Sequence, residues 1–409
     1  MAKTIWYISK YFAPPSASSP GSRGWLLMKE FAAKGNHPVV ITSDSNNLVD
    51  LPSFESKVKS YRQEGVELVW LKTMKYSVAK SSRRILSWFH FEWNLFWLDK
   101  KGLPKPDVVI VSSLSLLTIL NGIFLKKKYK CKLVFEIRDI WPLTIVEEGG
   151  FSPRNPFVIF LGVIERWGYK RSDLILGTMP NLGEHVKQVL GYSKPVGCIP
   201  MGVESSMLTT NQRRVSQEYI DQYLNPGYFN VVHAGTVGIT NALETFFKAA
   251  DAFKDNSNIR FVIVGDGALK KTYQGKYGYL PNLVFAPKVD KNQVQSVLSC
   301  ADVVYFSVFK SKVWDYGQSL NKVVDYMLSG KPILASYSGF PSMINDAGCG
   351  YFIPAEDLQA LVLKIEELEM MPEIERNLIG TKGREWLFEN RSYEKLADDY
   401  LTLMFEQQG

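Results

Sequence analysis

From Thr4 to Ile353 the chain alternates short β-branched runs with stretches of helical length and amphipathic spacing. No other feature of the sequence narrows its folding options as far. Such alternation builds parallel sheets whose crossovers are helices, not meanders or sandwiches. In the first half, strands are predicted at Thr4–Ser9, Pro38–Ser43, Val66–Leu71, Asp107–Ser112, Lys132–Ile137, Leu174–Thr178 and Val196–Ile199. Helices fall between them, clearest at Ser22–Lys34, Leu114–Lys130, Pro156–Lys170 and Leu182–Leu190. After Pro200-Met-Gly-Val-Glu204 and a polar stretch, a second series follows at Phe229–Ala234, Ile259–Val264, Leu283–Phe285, Asp302–Ser307, Pro332–Ser336 and Tyr351–Ile353. Its helices lie near Ala242–Phe253, Lys291–Cys300, Leu320–Leu328 and Asp357–Glu369. At 409 residues the chain exceeds one ordinary core. The expected fold is therefore α/β with two doubly wound, Rossmann-like domains, 1–200 and 201–385. A terminal helical stretch, 386–409, is expected from its position to pack back toward the first domain.

Several classes are excluded early. Cys131, Cys198, Cys300 and Cys349 are far apart and form no CxxC pair, which argues against a disulfide framework or a zinc ribbon. Reduced thiols in a cytoplasmic compartment are the economical expectation. The apolar start Ile5–Ile8 is too short for a secretory signal and reads as a strand. No apolar run reaches the roughly 20 residues that span a bilayer.

The formal charge of +7 is unevenly placed. Between Lys75 and Lys105 stand seven bases, Lys75, Lys80, Arg83, Arg84, Lys100, Lys101 and Lys105, against two acids, Glu92 and Asp99. The same stretch carries Ile85, Trp88, Phe89, Trp93, Phe96 and Trp97 at spacings a helix would gather on one side. A second basic cluster follows at Lys126–Lys128, Lys130 and Lys132. Tryptophan-rich apolar surface flanked by bases suits the interface of an anionic membrane. Peripheral attachment of the first half through Lys75–Lys105 is the expectation, although a core helix with lysines around it would give the same pattern. No nucleic-acid motif accompanies the charge, so nucleic acid is not an expected partner.

Ligands of doubly wound sheets bind outside the carboxyl ends of the strands. Two turns there are glycine-rich, Ala234-Gly-Thr-Val-Gly238 and Val264-Gly-Asp-Gly267. Glycine lets the backbone approach a ligand closely, and a following helix offers unpaired N–H groups to an anion. Either turn could equally be structural. Tyr316-Gly-Gln-Ser-Leu-Asn-Lys-Val-Val-Asp325 is more informative. A helix starting near Ser319 would aim its first amides and the Lys322 ammonium at a phosphate, while Asp325 could accept both hydroxyls of a ribose. A plain amphipathic helix with a solvated lysine remains the alternative. In the first half, the long loop Ala13–Gly24 carries Arg23 into the first helix. Phe135-Glu-Ile-Arg-Asp-Ile-Trp-Pro142 ends a strand in a carboxylate, Asp139, which could orient an acceptor hydroxyl or cap a helix.

In their order along both halves these landmarks resemble the retaining GT-B glycosyltransferases of family 4. The match rests on Gly21-Ser-Arg23, Gly35–Ile41, Arg138-Asp-Ile-Trp-Pro142, Ile199-Pro-Met-Gly-Val-Glu204, Gly235-Thr236, Ile263-Val-Gly-Asp-Gly267, Ser319-Leu-Asn-Lys322 with Asp325, and Gly330-Lys-Pro332. The Asp-Ile-Trp-Pro and Asn-Lys…Asp-Tyr-Met variants look most like the subgroup that transfers N-acetylfucosamine-type sugars in bacterial surface polysaccharide, O-antigen or capsule assembly.

The resemblance implies two domains facing a cleft. It implies a UDP-sugar donor held by Gly235, Thr236, Gly265, Lys288, Val289, Ser319, Leu320, Asn321, Lys322 and Asp325, and a lipid-linked, polyprenyl-diphosphate saccharide acceptor met by Gly21, Ser22, Arg23 and Asp139. Asp139 and Lys322 would carry the catalysis. Retention, independence from metal and attachment to the cytoplasmic face of the inner membrane are further implications, with no cofactor beyond the donor. Two departures stand out: Gly235-Thr-Val-Gly-Ile-Thr240 lacks the Arg and Lys common in the family, leaving their task to Lys322 or to Lys310 and Lys312, and Gly317 stands where the first of two paired glutamates is usual. A sugar-nucleotide epimerase of the same build, or an inactive membrane-bound partner protein, are the alternatives.

Overall fold

The computed structural model describes residues 1–16, 21–45, 51–76, 81–113, 115–208 and 213–406. Lys80 and Leu114, and positions 17–20 of the first loop, lie outside the described residues. The chain divides into two compact units, Met1–Pro200 with Tyr393–Gly409, and Met201–Ser392.

The first unit runs β1 (Thr4–Ile8), α1 (Arg23–Ala33), β2 (His37–Ser43), β3 (Val58–Gln63), β4 (Val66–Leu71), α2 (Ser82–Trp97), β5 (Val108–Ser112), α3 (Thr118–Tyr129), β6 (Lys132–Ile137), α4 (Leu143–Glu147), α5 (Pro156–Arg171), β7 (Leu174–Gly177), α6 (Leu182–Leu190) and β8 (Val196–Cys198). The second runs α7 (Gln217–Tyr223), β9 (Phe229–Ala234), α8 (Glu244–Ala252), β10 (Ile259–Val264), α9 (Lys270–Tyr277), β11 (Leu283–Ala286), α10 (Val294–Leu298), β12 (Val303–Ser307), α11 (Asn321–Leu328), β13 (Ile333–Ser336), α12 (Met343–Ala347), β14 (Gly350–Ile353), α13 (Leu358–Met370) and α14 (Glu373–Arg391). The last helix, α15 (Tyr393–Phe405), returns to the first unit.

The six-stranded sheet has the order β11-β10-β9-β12-β13-β14 and is parallel throughout. Adjacent residues along its strands serve opposite cores. Val232, Val262 and Val304 pack on one face, while Val231, Phe261 and Val303 pack on the other. That is why these strands read as continuous apolar runs. The eight-stranded sheet has the order β3-β4-β2-β1-β5-β6-β7-β8, and only the β3–β4 pair is antiparallel. β3 was not anticipated, and its sequence gives the reason: VKSYRQ is mostly exposed and carries no apolar face.

Two sequence expectations need revision. The terminal helical stretch expected over 386–409 belongs to two helices, α14 in the second unit and α15 in the first, divided at Ser392. α15 buries Leu396, Ala397, Tyr400 and Met404 against the first unit's core, with Tyr400 edge-on to Phe31 at 5.5 Å. The aromatic stretch does form a helix, α2, but its inner side is Ser87, Trp88, Phe91 and Leu95. Phe89, Trp93, Phe96 and Trp97 of the expected stripe face outward, with Trp93 65% and Trp97 66% exposed. The local charge also shrinks. Lys100 is buried and donates to the carbonyls of Leu95, Phe96 and Leu98, closing the end of α2. Burial lowers its pKa to about 8. Lys75 pairs with Asp44 at 2.9 Å.

Candidate active site in the second unit

The strand order of the second unit makes its crossovers diverge between β9 and β12, where doubly wound sheets bind their ligands. A cavity of about 460 Å³ opens at that edge. Its walls are the end of β9 and the turn after it (Ala234, Gly235, Thr236), the end of β10 and the turn after it (Val264, Gly265, Asp266), the segment Lys288–Val289 after β11, and Leu320 with Asn321, Lys322 and Asp325 of α11. Nine of the sequence-predicted donor residues thus line one cavity. Ser319 and Lys310 do not line it. Lys310 is exposed, with its amide 3.5 Å from Glu356 Oε2.

The glycines permit a contact between turns that no other residue would allow. At Gly265, φ is +151° and a Cβ would stand 1.9 Å from the Gly235 carbonyl oxygen. Gly265→Ala should therefore lower stability by about 2–4 kcal/mol and weaken donor binding at least tenfold. Gly275→Ala, in α9 with nothing near the added carbon, should be neutral or slightly stabilising. Thermal unfolding and nucleotide titration of the two variants measure both effects.

α11 begins at Asn321, two residues later than expected, with Leu320 as its N-cap. Lys322 is consequently in the first turn. It is half-buried, and its ammonium donates to Asn241 Oδ1, whose amide nitrogen donates to the Thr236 carbonyl at 2.8 Å. Burial lowers the Lys322 pKa to about 8. Beneath the β9 turn, His233 is fully buried, with Nδ1 3.1 Å from the Tyr305 carbonyl oxygen. Burial, helped by the Lys322 charge, pushes its pKa down to about 3, so the imidazole is neutral and Nδ1 is the donor. Tyr326, on α11, accepts from the Ala234 amide at 3.0 Å and tethers the helix to the β9 turn. Asp325 pairs with Lys291, and its carbonyl accepts from Gln295 at 2.9 Å. Just before α11, both polar atoms of the Gln318 amide and the Ser319 hydroxyl are buried without a hydrogen-bond partner. Leaving such atoms unpaired costs roughly 1–3 kcal/mol each, so they call for a polar ligand.

In the first unit the predicted residues separate. Gly21, at φ +101°, sits against Trp25, where a Cβ would come within 2.7 Å of the indole. The Ser22 hydroxyl accepts from the Ala13 amide at 3.2 Å, closing the neck of the first loop. Arg23 corrects the sequence reading. It is 3% exposed, donates to Glu136 Oε1 at 2.6 Å, and also donates to the carbonyls of Ile199 and Pro200. With its fork spent inside the unit, it is a structural residue in this geometry.

Asp139 lies at the carboxyl edge of the sheet, just after β6, and is solvent-exposed. Crowding by the protein still pushes its carboxyl up, against the pull of Arg138 and Arg84. Arg84 belongs to a cluster absent from the sequence reading: Tyr11 Oη accepts from Arg84 Nε at 3.1 Å and from Trp88 Nε1 at 2.8 Å. Trp88 packs edge-on to Trp141, 5.4 Å away, and the Trp141–Pro142 peptide is cis. Asn241 and Lys291 were missed as well. The only signal was their place in the strand-to-helix connections after β9 and β11, which does not by itself separate a site residue from a cap.

Among the described residues no group of three or more His, Cys, Asp or Glu side chains could hold a metal ion.

The two-unit α/β architecture is that of the GT-B fold. Residues 229–370, which include every residue lining the cavity, match the family model for glycosyl transferases group 1. A putative glycosyltransferase of Bacillus subtilis (strain 168), EpsD, is 27% identical over 184 residues, an alignment covering 43% of this chain and 46% of that protein. The chain thus spans about half the length of the curated relative it matches. Among solved structures, the trehalose-6-phosphate protein of E. coli bound with UDP-2-fluoro glucose superposes with a TM-score of 0.72 at 11% identity, covering 99% of each chain. Sucrose-phosphate synthase from Thermosynechococcus elongatus gives 0.69 at 15%, covering 98% of each. Anabaena HepE in complex with UDP and glucose gives 0.64 at 13%, covering 99% of this chain and all of that one.

Proposed function

We propose that this protein is a retaining, metal-independent glycosyltransferase that takes a sugar, an N-acetylated amino or deoxyamino sugar, from a UDP-sugar. It passes that sugar to a lipid-linked saccharide during assembly of a bacterial surface polysaccharide, working at the cytoplasmic face of the inner membrane. The observation that carries this reading is the second unit's cavity, where two glycine turns, the first turn of α11 and the Lys322 ammonium line one space. The family match over residues 229–370 and the UDP and UDP-sugar complexes among the structural neighbours support the choice of donor.

The roles follow from charge. As the bond from the anomeric carbon to the diphosphate breaks, negative charge grows on the β-phosphate oxygens. Lys322 and the α11 amides stabilise it there, in surroundings dry enough to depress the lysine's own pKa. Asp325 receives the ribose hydroxyls once Lys291 yields, and the unpartnered Gln318 and Ser319 atoms take polar groups of the sugar. The departing phosphate oxygen accepts the acceptor's hydroxyl proton, and Asp139 orients that hydroxyl.

Mass spectrometry of the full chain incubated with a panel of UDP-sugars and a polyprenyl-diphosphate saccharide tests the reading. An acceptor heavier by one sugar residue, with UDP released, is expected. Isomerised UDP-sugar formed without acceptor would identify an epimerase instead, and no reaction with any donor would leave an inactive partner protein.

A further inference from the structure

α2, α3 and α5 lie side by side on the first unit and are apolar on their outer sides. Trp93 and Trp97 of α2 are joined there by Ile159 (54% exposed), Val163 (62%) and Trp167 (49%) of α5. Only α2 stands out in the sequence. α5 reads as an ordinary crossover helix, and its positions 159, 163 and 167 share one side only because they recur every four residues. Soluble monomers rarely leave contiguous apolar surface beyond a few hundred Å² without a partner.

Between these helices runs a groove of about 480 Å³, lined by Phe89, Trp93, Phe96, Leu120, Phe124 and Phe160 with Glu92 and Asn121 at its base. The rings of Phe96 and Phe124 meet across it at a 47° tilt, their centroids 5.0 Å apart. Glu92 does not present a charge to it: the carboxyl is held by Thr118 at 2.5 Å and by Asn121 at 2.7 Å. Burial also raises its pKa to about 7.

The charge around the groove has one sign. The three helices carry eight Lys and Arg side chains and only two carboxylates, Glu92 at the groove's base and Glu165, which is buried against His185 at 2.7 Å. Arg83, Lys127, Lys128, Lys170 and Arg171 are exposed. Each base near an anionic lipid surface contributes roughly 1 kcal/mol, while the aromatic rings suit the headgroup layer. A second copy of this chain would bring the same bases together and is disfavoured by that repulsion.

We propose that α2, α3 and α5 form one docking surface for an anionic bilayer, and that the groove between them seats a hydrocarbon chain of a bilayer lipid. This deepens the membrane attachment in the proposed function and rests on it. The assignment moves half of the contact to α5 and makes the first unit grip a lipid chain, where α2 alone would only lie on the surface.

Flotation of the full-length protein with phosphatidylcholine vesicles, with or without phosphatidylglycerol, tests it. Partition should be at least tenfold stronger with phosphatidylglycerol and should fall with salt. Val163→Glu and Trp167→Glu, both on α5 and both exposed enough to leave the fold alone, should each lower it about tenfold. Chain-brominated lipid should quench the tryptophan emission, and Trp93→Phe should remove much of that quenching. Wild-type partition of both α5 variants would overturn the three-helix surface, and unchanged quenching in Trp93→Phe would overturn the groove. A dimer that ignores both vesicle types would overturn the choice of occupant. UDP titration of the same samples separates the two readings, because retained nucleotide binding with lost flotation condemns only the docking surface.

Discussion

Lys322→Ala is expected to lower kcat roughly 10²- to 10³-fold and to leave the fold intact, because preorganised charge aimed at a leaving group is the largest catalytic contribution one side chain can make here. Among the described residues lining the cavity, Lys322 shares positive charge with Lys288 and Lys291. Of these, Lys291 is committed to Asp325, and Lys322 alone stands in the first turn of α11. Stability should not suffer. A desolvated ammonium is held at a cost, which is what its lowered pKa of about 8 expresses. Since the unfolded chain binds that proton more tightly, wild-type stability should rise as pH climbs from about 8 toward 10, and Lys322→Met should lack that rise. Activity should move the other way. kcat/KM reports the free enzyme and should fall as pH passes about 8 and the ammonium loses its proton. Steady-state kinetics against pH, with thermal unfolding of the same variants, checks all three.

Arg23→Met should be the most destabilising single change outside the site, by about 3–5 kcal/mol, because it strands a buried carboxylate. Glu136 is 1% exposed and receives Arg23 at 2.6 Å, the Tyr7 hydroxyl at 2.9 Å and the Tyr400 hydroxyl at 3.4 Å. Burial pushes the Glu136 carboxyl up, but Arg23 and then Arg138 outweigh it, and the net shift is downward. The contribution is therefore present above the ordinary carboxylate range and is lost as pH falls through the lowered value. Because Tyr400 belongs to α15, the same variant should loosen the C-terminal helix. Denaturant unfolding measures the loss, and the double change Arg23→Met, Glu136→Leu should recover much of it, since an apolar pair of similar size needs no charge partner. Below its unfolding transition Arg23→Met should keep a near-normal acceptor KM. A large rise in KM with unchanged stability would return Arg23 to the acceptor.

How much of this could be read from the chain depended on the range of the interactions involved. Local signals carried far. The runs Phe229–Ala234 and Ile259–Val264 are mostly apolar on both faces, broken only by Asn230, His233 and Arg260, and glycines at 235 and 265 mark turns that only glycine fits. Nine of the predicted donor residues therefore line one cavity. Signals that depend on distant partners were invisible. Nothing near Arg23 reveals Glu136, 113 positions away, and nothing near Asp325 reveals Lys291. Asn241 carries no distinguishing neighbour in sequence, although it receives Lys322 across 81 positions. α2 misled for a different reason. It is apolar on both sides, so periodicity marks a helix without saying which side turns inward.

Calorimetric titration of UDP into the full-length protein tests the central claim most directly, because it asks only whether the second unit's cavity takes a nucleoside diphosphate. Saturable binding at one site per chain, weakened at least tenfold by Lys322→Ala, is the expected result. Absence of heat at millimolar UDP, or binding that Lys322→Ala leaves unchanged, would contradict it.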